Sequence, residues 1–240
     1  VYLAKKGIMS GFFGSISKND CVKDVFYGTD YHSHLGTKRA GLTFYSKEHG
    51  FQRAIHSLED GYFRNKFDHD INGFSGNSGI GVISDQEAQP IVVTSHMGRF
   101  AVASVSKIAN VDDLEKGFMN QRRTFSETSQ GSVNSTELVA MLIAECEDFL
   151  SGINNVFDRI KGSCSILILT ENGIIAARDK LGRTPVIIGK KKDAYAVSFE
   201  TCAFPNLGFE TEYYLGPGEI VELTPEGYNQ MRKPNVKMQI

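Results

Sequence analysis

The stretch Met9-Ser10-Gly11-Phe12-Phe13-Gly14 sets the terms for the rest of the chain, because a small-residue start runs directly into a short apolar segment. Ser-Gly ahead of a hydrophobic run is ordinarily a turn entering a strand. If any chemistry is built into this fold, it is expected at Ser10. So short a stretch does not decide between the two readings, and the surrounding sequence has to.

A chain of 240 residues is long enough for one large core, and layered folds of this size commonly form a single domain. One domain is therefore expected over residues 10–240, with Val1–Met9 a short leader, a misread start or an expression remnant. Val1–Ile8 lacks the apolar core and small-residue cleavage site of a signal peptide. The 24 glycines against 6 prolines predict many tight turns. Lys and Arg number 26 against 28 Asp and Glu, a formal charge of −2, which gives no electrostatic reason to expect nucleic acid or an anionic membrane as partner. A small molecule or another protein fits better. Cys21, Cys146, Cys164 and Cys202 lie far apart with no C-x-x-C pair, the pattern of a reducing compartment, so a cytoplasmic location is expected. No apolar run approaches the roughly eighteen residues needed to span a membrane.

Along the chain, Asp20 predicts a cap for a short helix through Val22, Val25 and Phe26, ending near Gly28. Residues 31–45 pass from a polar turn into a strand. His32 and His34 share the spacing of two ligands on one strand face, but no carboxylate or cysteine at ligand spacing accompanies them, and no metal or cofactor is expected. The glycine-rich run Gly73–Gly81 lacks the Lys-Ser/Thr of a phosphate-binding loop and leads into an extended stretch, so it is read as the approach to a strand. Residues 91–94 and 100–105 read as strands around a turn at His96-Met97-Gly98, and Asn110 as the cap of a helix with Asp112 and Asp113 in its first turn. Asn134-Ser135-Thr136-Glu137 has capping-box spacing; Leu138, Met141, Leu142, Cys146, Phe149 and Ile153 follow at helical intervals, predicting one long helix. Ser163–Thr170 and Ile174–Arg178 then predict a hairpin, with Asn172-Gly173 suited to a type I′ turn. Further strands are expected at 185–189, 195–199 and 219–223. Strands at both ends with helices between them suggest two sheets covered by helices.

Taken in order, the motifs resemble the glutaminase domain of the amidophosphoribosyltransferase family, a class II glutamine amidotransferase. The matching stretches are Ser10–Gly14, His34–Leu42, Gly76–Gly81, Glu87-Ala88-Gln89-Pro90, Asn134–Leu138, Arg178–Pro185, Leu207-Gly208-Phe209 and Gly216-Pro217-Gly218-Glu219. The resemblance implies an α+β fold of the N-terminal-nucleophile hydrolase type, an αββα four-layer sandwich with two mostly antiparallel sheets between helical layers. It also implies a family function in which ammonia released from glutamine is transferred to phosphoribosyl pyrophosphate. The implied partners are glutamine, if the site is active, and a phosphoribosyltransferase domain following the glutaminase domain; a homo-oligomer stays open.

The family's catalytic positions are altered. Its nucleophile is a cysteine freed at the chain's N-terminus, and the matching residue is Ser10. Such a nucleophile uses its own α-amine, with a pKa of about 7.7–8, as general base. The family's oxyanion hole, an Asn-Gly pair, matches Val105 and Ser106, and loss of one such donor typically costs about 10²–10³ in rate. The carboxylate-binding arginine lies in a loop that is shortened here, leaving Ser84 in its vicinity; Asp85 beside it is expected to repel an anionic substrate. The amine-accepting aspartate matches Ser135, while Glu137 is retained, with a second role as a capping residue. Leu35 stands where the family has arginine. Scaffold retained around a dismantled site predicts a domain of purine biosynthesis with little or no glutamine hydrolysis and a structural or regulatory role. An active amide hydrolase using Ser10, and a binding module for a different small ligand, are the alternatives.

Overall fold

The computed structural model describes residues 10–126, 128–129 and 132–235; Val1–Met9 lie outside the described residues. In chain order the first half comprises β1 (Ser10–Ser17), α1 (Val22–Asp30), β2 (Arg39–Ser46), β3 (Gly50–Ser57), α2 (Phe63–Ile71), β4 (Ser78–Ser84), β5 (Ile91–Ser95), β6 (Gly98–Ile108) and α3 (Val111–Asn120). The second half comprises β7 (Thr128–Ser129), β8 (Ser132–Val133), α4 (Ser135–Ile143), α5 (Phe149–Arg159), β9 (Gly162–Leu169), β10 (Ile174–Ala177), β11 (Ile187–Lys191), β12 (Ala194–Ser198), α6 (Phe204–Leu207), β13 (Glu210–Tyr214), β14 (Ile220–Thr224) and β15 (Gly227–Arg232).

Two antiparallel sheets carry the fold, in the orders β13-β11-β12-β1-β4-β2-β3 and β15-β14-β10-β9-β6-β5. β1 lies inside its sheet and is buried on both faces, so that only Phe12, Phe13 and Ile16 carry large apolar side chains and serine and glycine fill the remaining positions. Phe12 and Ile16 point between the sheets, where they meet Leu167, Leu169 and Val221 of the second sheet. Phe13 points the other way, against Phe204 and Phe209. The outer face of the first sheet is covered by α1 and α2 through Val25, Phe26, Phe63 and Phe67. The outer face of the second is covered by α3, α4 and α5, where Phe118, Leu138, Leu142, Val156 and Phe157 meet Ile166 and Ile168. These layers form the expected αββα sandwich, and each fully buried Phe or Leu contributes about 1.5–3 kcal/mol to it. Among the described residues no helix is long and apolar enough to cross a membrane.

The glycine-rich stretch before β4 does enter a strand. An added Cβ at Gly81 would lie 2.0 Å from Thr29 Oγ1, so glycine there lets α1 settle onto the strand. The N-cap of α1 is Cys21 and not Asp20, which stands one residue earlier with its carboxylate accepting from Val22 N at 3.0 Å and Gly76 N at 3.0 Å; α1 runs on to Asp30.

Three further local expectations are corrected. The apolar spacing from Leu138 to Ile153 belongs to two helices, with Cys146 in the link between them. Asp148 starts the second by accepting from Ser151 N at 2.7 Å, and Asn155 Nδ2 donates to the Leu142 carbonyl at 2.9 Å, satisfying an acceptor at the end of the first. Asn110 makes no side-chain cap on α3; its amide instead donates to the Arg159 carbonyl and accepts from Lys161 N, fastening the far end of α5. The β9–β10 hairpin forms, but neither Asn172 nor Gly173 has the positive φ of a type I′ turn. The Thr170 hydroxyl organises that turn by accepting from Asn172 N and Gly173 N.

Candidate functional site

β1 and β4 pair so that Ser10 lies directly opposite Ser84. Here a cleft of about 500 Å³ opens, lined by Ser10 and Ser84 from the first sheet, Ser106 and Lys107 from β6 of the second, Glu87 from the β4–β5 link and Ser135 from the start of α4. The Ser10 hydroxyl donates to Ser84 Oγ at 3.2 Å. Ser84 Oγ also accepts from Gln86 N at 3.1 Å and Glu87 N at 3.2 Å, which fixes its position, and Ser84 is only 2% exposed. A neutral hydroxyl is no general base near neutral pH, so this contact orients Ser10 without activating it.

The floor is a buried polar network. The Glu87 carboxylate accepts from Ser135 N at 2.7 Å, Thr136 N at 3.1 Å and the Thr136 hydroxyl at 3.0 Å. A negative charge is thereby held at the N-terminus of α4, where free N–H groups and the helix dipole favour it. Asn134 Oδ1 adds the N-cap, accepting from Thr136 N and Glu137 N, while its amide donates to the Ala88 carbonyl. Gln89 bridges to β6, taking Ser104 N at 2.8 Å and donating to the Ser104 carbonyl at 3.1 Å. The Glu87–Pro90 motif is thus the seam joining the first sheet, β6 and α4.

Of the residues expected at the site, Ser10, Ser84, Ser106 and Ser135 meet in this cleft. Val105 sits between Ser104 and Ser106 on β6, but its side chain packs between the sheets with Ala101 and Ala103. Glu137 does not line the cleft; its Oε1 accepts from Ser126 N at 2.8 Å and the Ser126 hydroxyl at 2.7 Å, holding the chain that precedes α4. Asp85 also lies outside the lining, and its carboxylate accepts from Thr37 N at 2.8 Å and the Thr37 hydroxyl at 3.2 Å. The structure thus engages it in the loop after α1 instead of placing it against a substrate. Leu35 is buried over Gly11, its Cδ1 lying 2.7 Å from where a Cβ would stand.

His32 and His34 take separate partners. His32 is fully buried, with Nδ1 bonded to the Gly28 carbonyl at 2.7 Å and Nε2 at 3.2 Å from Ser198 Oγ; burial pushes its pKa down. His34 pairs with Glu200 at 2.9 Å on the surface. Among the described residues no group of three or more His, Cys, Asp or Glu side chains is placed to hold a metal. Sequence reasoning did not single out Glu87, Lys107, Ser104 or Gln89 as lining. Glu87 and Gln89 belong to a quoted motif, but nothing in their order marks them as cleft residues.

A second polar assembly lies around Arg178-Asp179. The Arg178 guanidinium donates to the carbonyls of Gly182, Thr184 and Leu215. Asp179, fully buried, accepts from Arg183 N at 3.0 Å through its carboxylate and from Gly218 N at 3.1 Å through its carbonyl. Glu219, also fully buried, accepts from Gly216 N at 2.6 Å and from the Tyr213 hydroxyl at 3.1 Å.

With this geometry in place, a family model described as a glutamine amidotransferase domain matches residues 78–206. The chain belongs to that family. The domain is 29% identical over 223 residues to the amidophosphoribosyltransferase of Methanocaldococcus jannaschii, covering 90% of this chain and 47% of that one. It superposes on the glutamine phosphoribosylpyrophosphate amidotransferase of Bacillus subtilis, solved with ADP and GMP, at a TM-score of 0.82 and 27% identity, covering 92% of this chain and 49% of that one. A structure described as the allosteric regulatory enzyme of purine biosynthesis matches with the same TM-score at 26% identity, covering 92% of this chain and 48% of that one. The chain therefore spans about half the length of these relatives.

Proposed function

We propose that this is the glutaminase-like domain of an amidophosphoribosyltransferase-type protein of purine biosynthesis, that it hydrolyses glutamine little or not at all, and that it serves a structural or regulatory role beside a phosphoribosyltransferase domain. The observation that carries the reading is the Ser10–Ser84 contact: the residue at the nucleophile's position faces a neutral hydroxyl. A serine hydroxyl ionises far less readily than a thiol, which is already a few per cent thiolate near neutral pH. Val105 supports this reading, because the resemblance matches an apolar side chain to the family's oxyanion donor.

The competing reading, an active amide hydrolase, needs Ser10 as the first residue so that its α-amine can act as base. The test is ammonia and glutamate release from glutamine, measured on protein whose intact mass shows Ser10 at the N-terminus. Background-level release is expected. Turnover near that of ordinary enzymes, on the order of 10 s⁻¹, that disappears in Ser10→Ala would overturn the proposal.

A further inference from the structure

We infer that His32 is a proton-sensitive latch on the turn behind the Ser10 cleft: as a neutral imidazole it holds residues 31–36 against the first sheet, and charging it releases them. The turn that follows α1 carries Leu35, whose Cδ1 lies 2.7 Å from where a Cβ on Gly11 would stand, and Gly36, where a Cβ would stand 2.9 Å from Ser84 N. It therefore backs the strand ends that present Ser10 and Ser84. The turn is tied down through His32, whose N donates to the Thr29 carbonyl at 3.0 Å and whose carbonyl accepts from Leu35 N at 2.9 Å. The His32 ring itself packs behind Gly11, with Cδ2 3.0 Å from the same Cβ position. Nothing in the proposed function uses this side chain.

The partners of the ring fix where its proton sits. The Gly28 carbonyl, 2.7 Å from Nδ1, can only accept, so the neutral ring carries its proton on Nδ1 and Nε2 is an acceptor. Nε2 faces Ser198 Oγ at 3.2 Å, but that hydroxyl has one proton and the Glu200 carbonyl also claims it, at 2.5 Å. The site is one proton short. A second proton on the ring would complete it, Nε2–H donating to Ser198 and Ser198 to Glu200, yet it would place a charge where both side chains are fully buried. Burial prevails and pushes the pKa of His32 down. The groups around the ring give little relief: β1 presents Gly11 and the Phe13 ring, and β12 presents Ser198. The Glu200 carboxylate favours a charged His32 and His34 opposes it, but these two are bonded to each other at 2.9 Å on the surface. The Cys202 thiol lies 3.7 Å from the same carboxylate, and Asp30, at the end of α1, is bound to Arg64 at 2.6 Å. The least costly way to take up a proton is to open the turn, so that the imidazolium meets water and the Glu200 carboxylate.

The test is hydrogen exchange on the whole chain, read as protection factors between about pH 5 and 8. Protection of the Leu35 amide should fall below about pH 6.5 by up to about tenfold per pH unit, the slope of one proton taken up on opening. At low urea concentration the Leu35 amide should not exchange faster while the amides of β9 do, which marks an opening smaller than global unfolding. His32→Gln, which cannot charge, should make Leu35 protection independent of pH. If that variant fails to fold, His34→Gln and the wild-type ring decide the matter. His34→Gln should keep the decline, and the nitrogen spectrum of His32 at pH about 8 should show the proton on Nδ1. Leu35 protection that is flat with pH in wild type, or a decline that disappears in His34→Gln, overturns the latch. So does a proton on Nε2 of the neutral ring, or Leu35 exchange that follows the β9 amides in urea.

Discussion

The Arg178 turn and the Ser10 cleft are both polar, yet their side chains face different things. Around Arg178, guanidinium and carboxylates are directed at the backbone: three carbonyls for Arg178, N–H groups for Asp179 and Glu219. In the cleft, Glu87 and Gln89 form a comparable framework below, but Ser10, Ser106, Lys107 and Ser135 line open space above it. The polar residues therefore fall into two settings. One is a turn held by its own backbone contacts; the other is a cavity lined by side chains.

The comparison can be broken by mutation. Arg178→Ala strands three carbonyls in a partly buried site and should cost about 3 kcal/mol, read as a lower urea midpoint at unchanged slope. A loss below about 1 kcal/mol would mean that the turn is not the structural element described. Within the cleft, Ser84→Ala removes the acceptor of Gln86 N and Glu87 N and should cost about 1–2 kcal/mol. Ser10→Ala, by contrast, should stay within about 0.5 kcal/mol, because among the described residues that hydroxyl bonds to Ser84 Oγ and to no backbone group. Equal effects at 10 and 84 would erase the distinction between framework and lining.

His32 sharpens the same boundary, since it packs behind Gly11 and is fully buried. Burial holds its pKa below the ordinary value near 6.5. As the pH falls through about 6.5, the unfolded chain takes up the proton before the folded one. The stability that neutral His32 contributes is therefore complete above that pH and declines below it, towards the depressed folded-state pKa. His32→Gln should flatten the decline, as measured by unfolding midpoints between about pH 7 and 5. An unchanged slope would show that His32 does not carry it.

Much of the fold is legible because its central strands carry short apolar clusters, Phe12-Phe13 in β1 and Ile166–Leu169 in β9, beside turn residues. β3 was not legible. Gly50–Ser57 is an edge strand, half-exposed along most of its length, and Gln52, Arg53 and His56 break any alternation. The division between α4 and α5 was hidden for another reason: the apolar period continues across it, and the carbonyl bond from Asn155 that permits the break is tertiary. The four serines singled out from the order of motifs line one cleft. Glu87 and Lys107 become cleft residues only when one sheet is laid on the other, so no local spacing announces them.

Arg178 has one further consequence, which concerns motion. Its guanidinium holds carbonyls at Gly182, Thr184 and Leu215, while Leu215 N donates to the Val186 carbonyl and Gly218 N to that of Asp179. Segments distant in sequence are thereby tied to one cation, and neither can come away from the sheet without releasing the other. In hydrogen exchange their amides should open as a single unit with a shared rate, distinct from the fraying of the nearby edge strands.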